Sequence, residues 1–338
     1  MMRLFRFSLF FLFVAIFILA CDSSKERKPE PNFEKIRTLI QEMEYQGGVM
    51  ASALDTVAHY FAKILVNRDS LLKAAPPSPY RFSEGFSTNL PGQDSSLSSV
   101  IILNSTPDRK KAEEEVLMTN MLDKVFAAFI KENPRAAQIY LNSAMQVSRV
   151  YPAYDVKNIV DPDIVVTDFN FYYEADLAHN PTKGLVWIQE AYVDPAGKGW
   201  ILSLLHPIYV DDVLFAVLGV DYTVSELIQR YLDSLEGEFI LVNAKGDIVA
   251  GKAEAIESLS MPPLKNHVYS ETIHSDYFRI SDFNLFNSKS QEVRDMATRF
   301  LLEKKNEFSF DEEANLSNAI CLRFNAVDWF LIEVFPNY

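Results

Sequence analysis

The sequence predicts an α+β protein in which one long N-terminal helix precedes two units, each with an antiparallel sheet. Two observations predict this fold class. Apolar residues recur at helical spacing from Phe33 to about Leu72, and short apolar strands separated by turn sequences follow between Ala137 and Phe335. Strands joined by turns, with helices between groups of strands, are typical of antiparallel sheets that pack against helices.

Composition and charge narrow the class of protein. The chain has 338 residues, of which 49% are hydrophobic and 23% charged, values typical of a globular protein with room for two domains. The 32 Lys and Arg against 46 Asp and Glu give a net charge of -14, so we expect no nucleic-acid partner. With two cysteines, Cys21 and Cys321, neither a disulfide scaffold nor a cysteine-rich zinc site is available.

We expect residues 1–20 to be a lipoprotein signal peptide rather than part of the fold. Arg3 and Arg6 precede an apolar stretch over residues 7–20, which is shorter than the roughly 20 residues of a membrane-spanning helix. The stretch ends in Ile-Leu-Ala-Cys at residues 18–21, which resembles the bacterial lipoprotein box, where the thiol of Cys21 receives the lipid. The alternative is an ordinary anchor helix with an incidental cysteine.

The lipoprotein interpretation implies a tether and a location. Residues 21–32 are charged and contain prolines, as expected of a flexible tether. Acyl chains on Cys21 would hold the protein at a membrane surface without spanning the membrane. Asp22 resembles the enterobacterial signal for retention in the inner membrane, so the periplasmic face of that membrane is favoured, with the outer membrane or cell surface as alternatives.

Helical spacing predicts two helices before the strands. The long N-terminal helix is expected over residues 33–72, and the pair Gly47-Gly48 would loosen its middle. Residues 73–98 are rich in Pro, Ser and Gly and are expected to form a loop. The second helix is expected over residues 108–133, since Pro134 stands just beyond its end.

The predicted strands share short apolar runs bounded by turn residues. In the first unit they are residues 137–142, 146–151, 185–192, 200–209 and 213–222. Thr223 and Glu226 form a capping box that begins a helix to about Leu235. The second unit is expected to contain strands at residues 239–243, 248–250, 319–324 and 329–335 and a helix at 289–305.

Three segments in order resemble an extracytoplasmic double Cache (dCache) sensor domain. The first contains Tyr192-Val193-Asp194, Pro207-Ile208-Tyr209 and Leu218-Gly219-Val220-Asp221. The second and third, residues 239–251 and 328–336, resemble the hairpin and the closing strand of the family's C-terminal lobe. The resemblance implies a long helix that carries two PAS-like lobes, a membrane-distal lobe over 73–235 and a membrane-proximal lobe over 236–338, with the ligand in the distal one.

The resemblance also implies where a ligand would bind. Many dCache members bind amino acids through a Tyr-x4-Arg-x-Trp-Tyr pattern followed by two aspartates. Asn170 stands here in place of the arginine and Tyr172 in place of the tryptophan, while Tyr173 is kept. Because an uncharged amide cannot form the bidentate, charge-assisted contact with a carboxylate, a free α-amino acid is not the expected ligand.

Asp194 and Asp221 match the two aspartates that hold the ammonium group in the family. We therefore predict a cage of carboxylates and tyrosines for a small polar solute that bears an amine. Its candidate residues are Asn170, Tyr172, Tyr173, Tyr192, Asp194 and Asp221. The alternative is structural: Asp194 would be a turn residue before Pro195, and Asp221 a strand-end acceptor near Thr223.

The sequence contains no motif that predicts an enzyme, a metal site or a cofactor. Gly-x-Ser-x-Gly, His-Glu-x-x-His and the glycine-rich phosphate loops are absent, and the five histidines are scattered. Because no second apolar span precedes Tyr338, we expect the protein to act through a separate membrane receptor or transporter. The alternatives are a structural or surface-interaction lipoprotein with a ligandless dCache fold and, least favoured, a hydrolase.

Overall fold

A computed structural model describes residues 32–337, apart from 83–84, 86–88, 90–93, 234, 262–282 and 312–313. The predicted signal peptide, Cys21 and nearly all of the predicted tether lie outside the described residues. The predicted fold class is confirmed, because a long helix is followed by two antiparallel sheets with helices packed against them.

One helix, α1 (Phe33–Val66), contributes to the cores of both sheets. On either side of residues 41–49 its buried side chains recur at helical spacing, so a single stripe faces the protein. Ile36 and Ile40 pack in the core of the second sheet, whereas Leu54 and Phe61 pack in a core of the first. By length and composition alone, α1 is the one helix among the described residues that would be able to cross a membrane.

The helices differ from the prediction mainly in their breaks. The α1 helix continues through Gly47-Gly48 and ends before Asn67, after which α2 (Arg68–Ala74) begins. The predicted helix over residues 108–133 is two helices, α3 (Arg109–Thr119) and α4 (Leu122–Glu132). Asp108 caps α3 by accepting a hydrogen bond from the backbone N–H of Lys111.

The first sheet has seven antiparallel strands. They are β1 (Ser99–Ile102), β2 (Gln138–Ser143), β3 (Val147–Tyr151), β4 (Val186–Trp187), β5 (Tyr192–Val193), β6 (Trp200–Val210) and β7 (Val213–Thr223). Their order in space is β1-β3-β2-β7-β6-β4, with β5 also paired to β6. The predicted hairpins are thus observed with two differences: β1 was not predicted, and the strand predicted at 185–192 is two short strands.

Alternation along these strands gives the first sheet two different faces. One face, which includes Leu141 and Leu218, packs against α1 and α4. The other face, which includes Tyr140 and Val217, packs against the short helices α5 (Val156–Ile159) and α6 (Asn170–Tyr173). We call the first of these the helix face and the second the cavity face.

A buried arginine joins the sheet to α3 and α4. The guanidinium of Arg149, on β3, lies 2.5 Å from the carboxylate of Asp123 and donates to the Val116 carbonyl at 3.1 Å and to the Asn120 side chain at 3.0 Å. The hydroxyl of Tyr80 donates to Asp123 at 2.8 Å, and its ring lies 5.1 Å from the guanidinium carbon. Arg149 therefore points to the helix face and away from the cavity face.

The second sheet has five antiparallel strands. They are β8 (Glu238–Asn243), β9 (Ile248–Gly251), β10 (Glu307–Ser309), β11 (Leu316–Arg323) and β12 (Trp329–Pro336), in the order β10-β11-β12-β8-β9. The four strands predicted here are observed, and β10 was not predicted. Burial raises the pKa of the Cys321 thiol on β11, which keeps it protonated and inert.

Three short helices complete the described part of the fold. Helix α7 (Val224–Leu227) begins as predicted, since the side chain of Thr223 accepts a hydrogen bond from the backbone N–H of Glu226 at 3.1 Å. A π-helical turn over residues 228–232 extends it. Helices α8 (Ala253–Ser258) and α9 (Gln291–Ala297) pack against the second sheet. A π-helical turn over residues 298–302 extends α9, and the two together cover most of the helix predicted at 289–305.

Candidate functional site

Three polar side chains lie in one row on the cavity face of the first sheet. Gln138 on β2 is the cross-strand neighbour of Asp221 on β7, and Asp221 is the neighbour of Ser203 on β6. Directly paired residues of adjacent strands point to the same face, so the three side chains meet. All three are buried, and buried polar groups need hydrogen-bond partners.

Asp194 joins this row from the turn that follows β5. Its carboxylate accepts hydrogen bonds from the backbone N–H groups of Ala196 at 2.9 Å and Lys198 at 3.1 Å. Its own N–H donates to the Gly199 carbonyl at 2.9 Å, which closes the turn. The carboxylate also accepts from the Gln138 side chain at 3.1 Å, so Asp194 both holds the turn and contacts the row.

The side-chain nitrogen of Gln138 lies between the two carboxylates. Its Nε2 donates to Oδ2 of Asp221 at 2.7 Å and to Oδ2 of Asp194 at 3.1 Å. The Gln138 Oε1 is buried and has no hydrogen-bond partner among the described residues. A neutral N–H donor thus occupies a position in which an ammonium group would meet two carboxylate acceptors.

A chain of hydroxyls holds the other oxygen of Asp221. Ser203 donates to Oδ1 of Asp221 at 2.5 Å, and the hydroxyl of Tyr192 lies 2.6 Å from the Ser203 oxygen. Tyr192, Ser203 and Asp221 therefore form one chain of hydrogen bonds. Beside them the ring of Tyr140 lies against Gly219, where any Cβ would overlap it, so only glycine fits at this position.

Burial dominates the electrostatics of the two carboxylates. Burial raises the pKa of Asp221 to about 8, and the nearby charge of Asp194 acts in the same direction. Burial also raises the pKa of Asp194, against the backbone hydrogen bonds from Ala196 and Lys198, which lower it. At neutral pH Asp221 therefore keeps a proton, and a nearby cation would favour its ionised form.

A small cavity of about 50 Å³ borders this cluster. Gln138, Tyr192, Asp194 and Asp221 line it, together with apolar and aromatic side chains. No lysine or arginine is among the described residues that line it. The volume suits one or two water molecules, whereas pockets for organic ligands are roughly 300–1,000 Å³. A solute would therefore enter only if a wall of the cavity, such as the Gln138 side chain, moved aside.

The structure brings together three of the six predicted ligand-binding residues, namely Tyr192, Asp194 and Asp221. The other three, Asn170, Tyr172 and Tyr173, belong to α6, where consecutive side chains point about 100° apart. Their neighbour Phe171 lines the cavity, and these three do not.

Each α6 residue away from the cavity has a local contact. The hydroxyl of Tyr172 donates to the Leu214 carbonyl at 3.4 Å, and the ring of Tyr173 packs against the His179 ring with centroids 5.2 Å apart. The Asn170 side chain accepts from the backbone N–H of Phe171 at 2.9 Å.

Sequence reasoning missed Gln138, Ser203 and Phe171. The sequence did contain a signal for the first two, because each is a polar residue in an apolar strand. Gln138 lies two positions from Tyr140 and Ser203 lies two positions from Leu205, so each points to the same face of the sheet as that neighbour. Their convergence with Asp221 depends on strand register, which the sequence does not give. The orientation of Phe171 depends on where a four-residue helix begins, and no periodic pattern marks that point.

The described histidines and carboxylates do not suggest a metal centre. Within the described part of the chain, no group of three His, Cys, Asp or Glu side chains is placed to hold a metal ion. His206 lies 3.1 Å from the carboxylate of Asp55 on α1, and His179 lies 2.8 Å from that of Asp176. The first pair links β6 to α1 and the second is local, and neither includes Asp194 or Asp221.

No protein-family model and no curated protein matches the chain. Among solved structures, it is similar to the isoleucine-bound sensory domain of the Campylobacter jejuni chemoreceptor CcmL, with 16% identity, 91% of this chain and 98% of that chain covered, and a TM-score of 0.42. It is also similar to the L-alanine complex of the ligand-binding domain of the Pseudomonas fluorescens chemoreceptor CtaA. The identity is 12%, the match covers 88% of this chain and 97% of that chain, and the TM-score is 0.43. A third similar structure is the GABA complex of the ligand-binding domain of the Pseudomonas aeruginosa chemoreceptor PctC. The identity is 17%, the match covers 69% of this chain and 84% of that chain, and the TM-score is 0.38.

Proposed function

We propose that the chain is a dCache ligand-binding sensor module that takes a small amine-bearing solute between Asp194 and Asp221. The observation that carries the proposal is the position of the Gln138 side-chain nitrogen, 2.7 Å from one carboxylate and 3.1 Å from the other. A protonated amine at this position would bring a positive charge and three N–H donors in place of a neutral amide. Such charge-assisted hydrogen bonds are about twice as strong as neutral ones.

The electrostatics of the free protein support a cationic ligand. The pKa of Asp221 is raised to about 8 because its charge is buried beside Asp194 without a compensating cation. A bound ammonium group would supply that cation and would favour ionisation of both carboxylates. The rings of Tyr140 and Tyr192 border the same cavity and offer additional surface for a cation.

The residues around the small cavity argue against recognition of a carboxylate group on the solute. No cationic side chain lines the cavity among the described residues, and Asn170 stands where the family pattern has its arginine. The buried arginine of this lobe, Arg149, points to the helix face and pairs with Asp123. The proposed solute is therefore an amine whose remaining atoms are polar but not anionic.

The location and mode of action rest on the sequence. The lipoprotein box at residues 18–21 supports a lipid on Cys21, and Asp22 supports the periplasmic face of the inner membrane. From there the module would act through a separate membrane receptor or transporter. The lipid anchor is tested in bacteria that express the full chain. Globomycin should inhibit cleavage of the signal peptide, and Cys21→Ser serves as the control.

Thermal-shift screening of the chain from residue 24 onward tests the ligand. The panel contains biogenic amines, amino acids, carboxylates, purines and sugars. A ligand of the native state raises the melting temperature as its concentration passes its Kd. We expect an amine to do so, Asp194→Asn and Asp221→Asn to abolish the shift, and Asp211→Asn, in an exposed turn of the same lobe, to leave it intact.

Two results would contradict this assignment. A hit that neither carboxylate variant affects keeps the binding module but moves its site away from Asp194 and Asp221. A flat response to the whole panel favours the alternative of a structural or surface-interaction lipoprotein. That alternative has its own support, because the cavity measures only about 50 Å³ and Gln138 already satisfies both carboxylates.

A further inference from the structure

We propose that a second, larger cavity between the cores of the two sheets binds an uncharged, ring-bearing apolar molecule. The cavity measures about 540 Å³, within the range of roughly 300–1,000 Å³ that organic ligands occupy. One wall is the middle of α1, over residues 43–51. The other walls are the helix face of the first sheet, residues 132–135 at the end of α4, α7 with the π-helical turn that extends it, and the β11–β12 turn of the second sheet.

One inward position of α1 beside the cavity has no side chain. Ile40, Met50 and Leu54 lie on the buried stripe of the helix, and Gly47 occupies the same stripe between them. A Cβ at Gly47 would lie 3.7 Å from Cζ2 of Trp187, which is an ordinary van der Waals contact. Glycine is therefore not required for close packing here, although it weakens a helix relative to alanine. Its structural effect is to leave space.

The lining favours a ring system. Trp187 and Tyr222 form one side, with ring centroids 6.2 Å apart, and Trp329 and Phe324 contribute from the second sheet. Aromatic walls make offset-stacked or edge contacts with rings, and these add to the gain from burial. Met50 on α1 is a flexible side chain that adapts to different shapes.

The charges at the cavity favour an uncharged molecule. Among its lining residues, Arg135 and Arg230 are balanced by Glu132 and Glu226. For the remaining ionisable residue, Glu44, burial acts to raise the pKa, but hydrogen bonds from the Ala326 backbone and the Asn325 side chain outweigh it and lower the pKa. The lining therefore has one excess negative charge, and these hydrogen bonds already hold that carboxylate, so it is not free to bind a cation.

This cavity is separate from the carboxylate cluster. Leu202, Leu204 and Tyr222 of β6 and β7 line it, whereas the intervening Ser203 and Asp221 point to the opposite face. The proposal therefore does not depend on the proposed amine site. Asp221→Asn serves as a control that should leave this cavity unaffected.

The probe for the test is N-phenyl-1-naphthylamine, an uncharged aromatic dye whose fluorescence rises in apolar surroundings. We expect saturable one-to-one binding to the wild-type chain, with energy transfer from Trp187 and Trp329. Gly47→Leu fills part of the cavity beside Trp187 and is expected to weaken binding at least about tenfold, because the dye and the new side chain would overlap. Gly47→Ala shares the gain in helix propensity and should keep the affinity within about threefold.

Thermal stability supplies a second readout, because the substitution that weakens dye binding should raise the melting temperature. Gly47→Leu should raise the melting temperature above that of Gly47→Ala, because it buries apolar surface in the empty cavity. Gly47→Met is the substitute if the leucine variant does not fold. The proposal is overturned if the dye does not bind the folded wild type, if the filled variants bind it as well as the wild type does, or if the anionic dye anilinonaphthalene sulfonate binds more tightly.

Discussion

Replacing Asp221 with asparagine is expected to flatten the dependence of stability on pH. In the folded protein burial raises the pKa of Asp221 to about 8, whereas its ordinary value is 3.8. Between these two values the folded state keeps a proton that the unfolded chain has lost. Stability is then highest at the acid end and falls as pH rises toward the folded pKa.

The magnitude follows from that one proton. A difference of one bound proton changes the free energy of unfolding by about 1.4 kcal/mol per pH unit. From about pH 5 to about pH 7 the wild type should therefore lose about 3 kcal/mol that the asparagine variant keeps. The new amide retains an acceptor for Ser203, and rotation of the Gln138 amide would let its Oε1 accept the new N–H donors in place of the present bond from Nε2.

Urea unfolding at three pH values, followed by tryptophan fluorescence, measures this effect. The quantity of interest is the stability of the variant minus that of the wild type, because other titrating groups contribute to both chains. The difference should grow in favour of the variant as pH rises. A difference that stays constant from about pH 5 to about pH 7 would show that Asp221 is already ionised in the fold.

Three further variants test the packing around the sites by urea unfolding. Arg149→Met should cost about 3–5 kcal/mol because it leaves the buried, charged Asp123 without a cationic partner, and the added change Asp123→Leu should restore most of the loss. Gly219→Ala should cost about 1–3 kcal/mol because its methyl group overlaps the Tyr140 ring, and a loss near zero would mean that the ring moves freely. Thr223→Ala should cost about 1 kcal/mol through loss of the α7 cap, whereas Thr223→Ser should cost little.

Periodicity predicted most of the fold, and its failures have local causes. The stripe of α1 was readable because apolar residues repeat over nine turns, and the long strands β6 and β7 were readable for a similar reason. Strand β1 was missed because it has four residues, all buried, and so shows no alternation. Strand β10, with three residues, is shorter still.

The candidate site was only half predictable because it depends on register. Asp194 and Asp221 stood out through their motifs, but Gln138 lies 83 positions before Asp221 and meets it only through pairing of β2 with β7. Asn170 and its neighbours were assigned by alignment to a pattern, whereas a single helical turn decides which of them faces inward. Contacts between distant segments and the phase of short helices are set by tertiary packing, which local sequence does not encode.

The contact between the first turn of α1 and the last strand has a practical consequence. Lys35 pairs with Glu333 of β12 at 3.2 Å, so the polypeptide enters and leaves the fold at neighbouring points. Domains with adjacent termini tolerate circular permutation. A short linker from Pro336 to Phe33, with the chain opened at the exposed turn Asp211-Asp212, should give a permutant with the same fold. Fluorescent proteins fused at these new ends would then test the proposed binding of a solute through an optical signal.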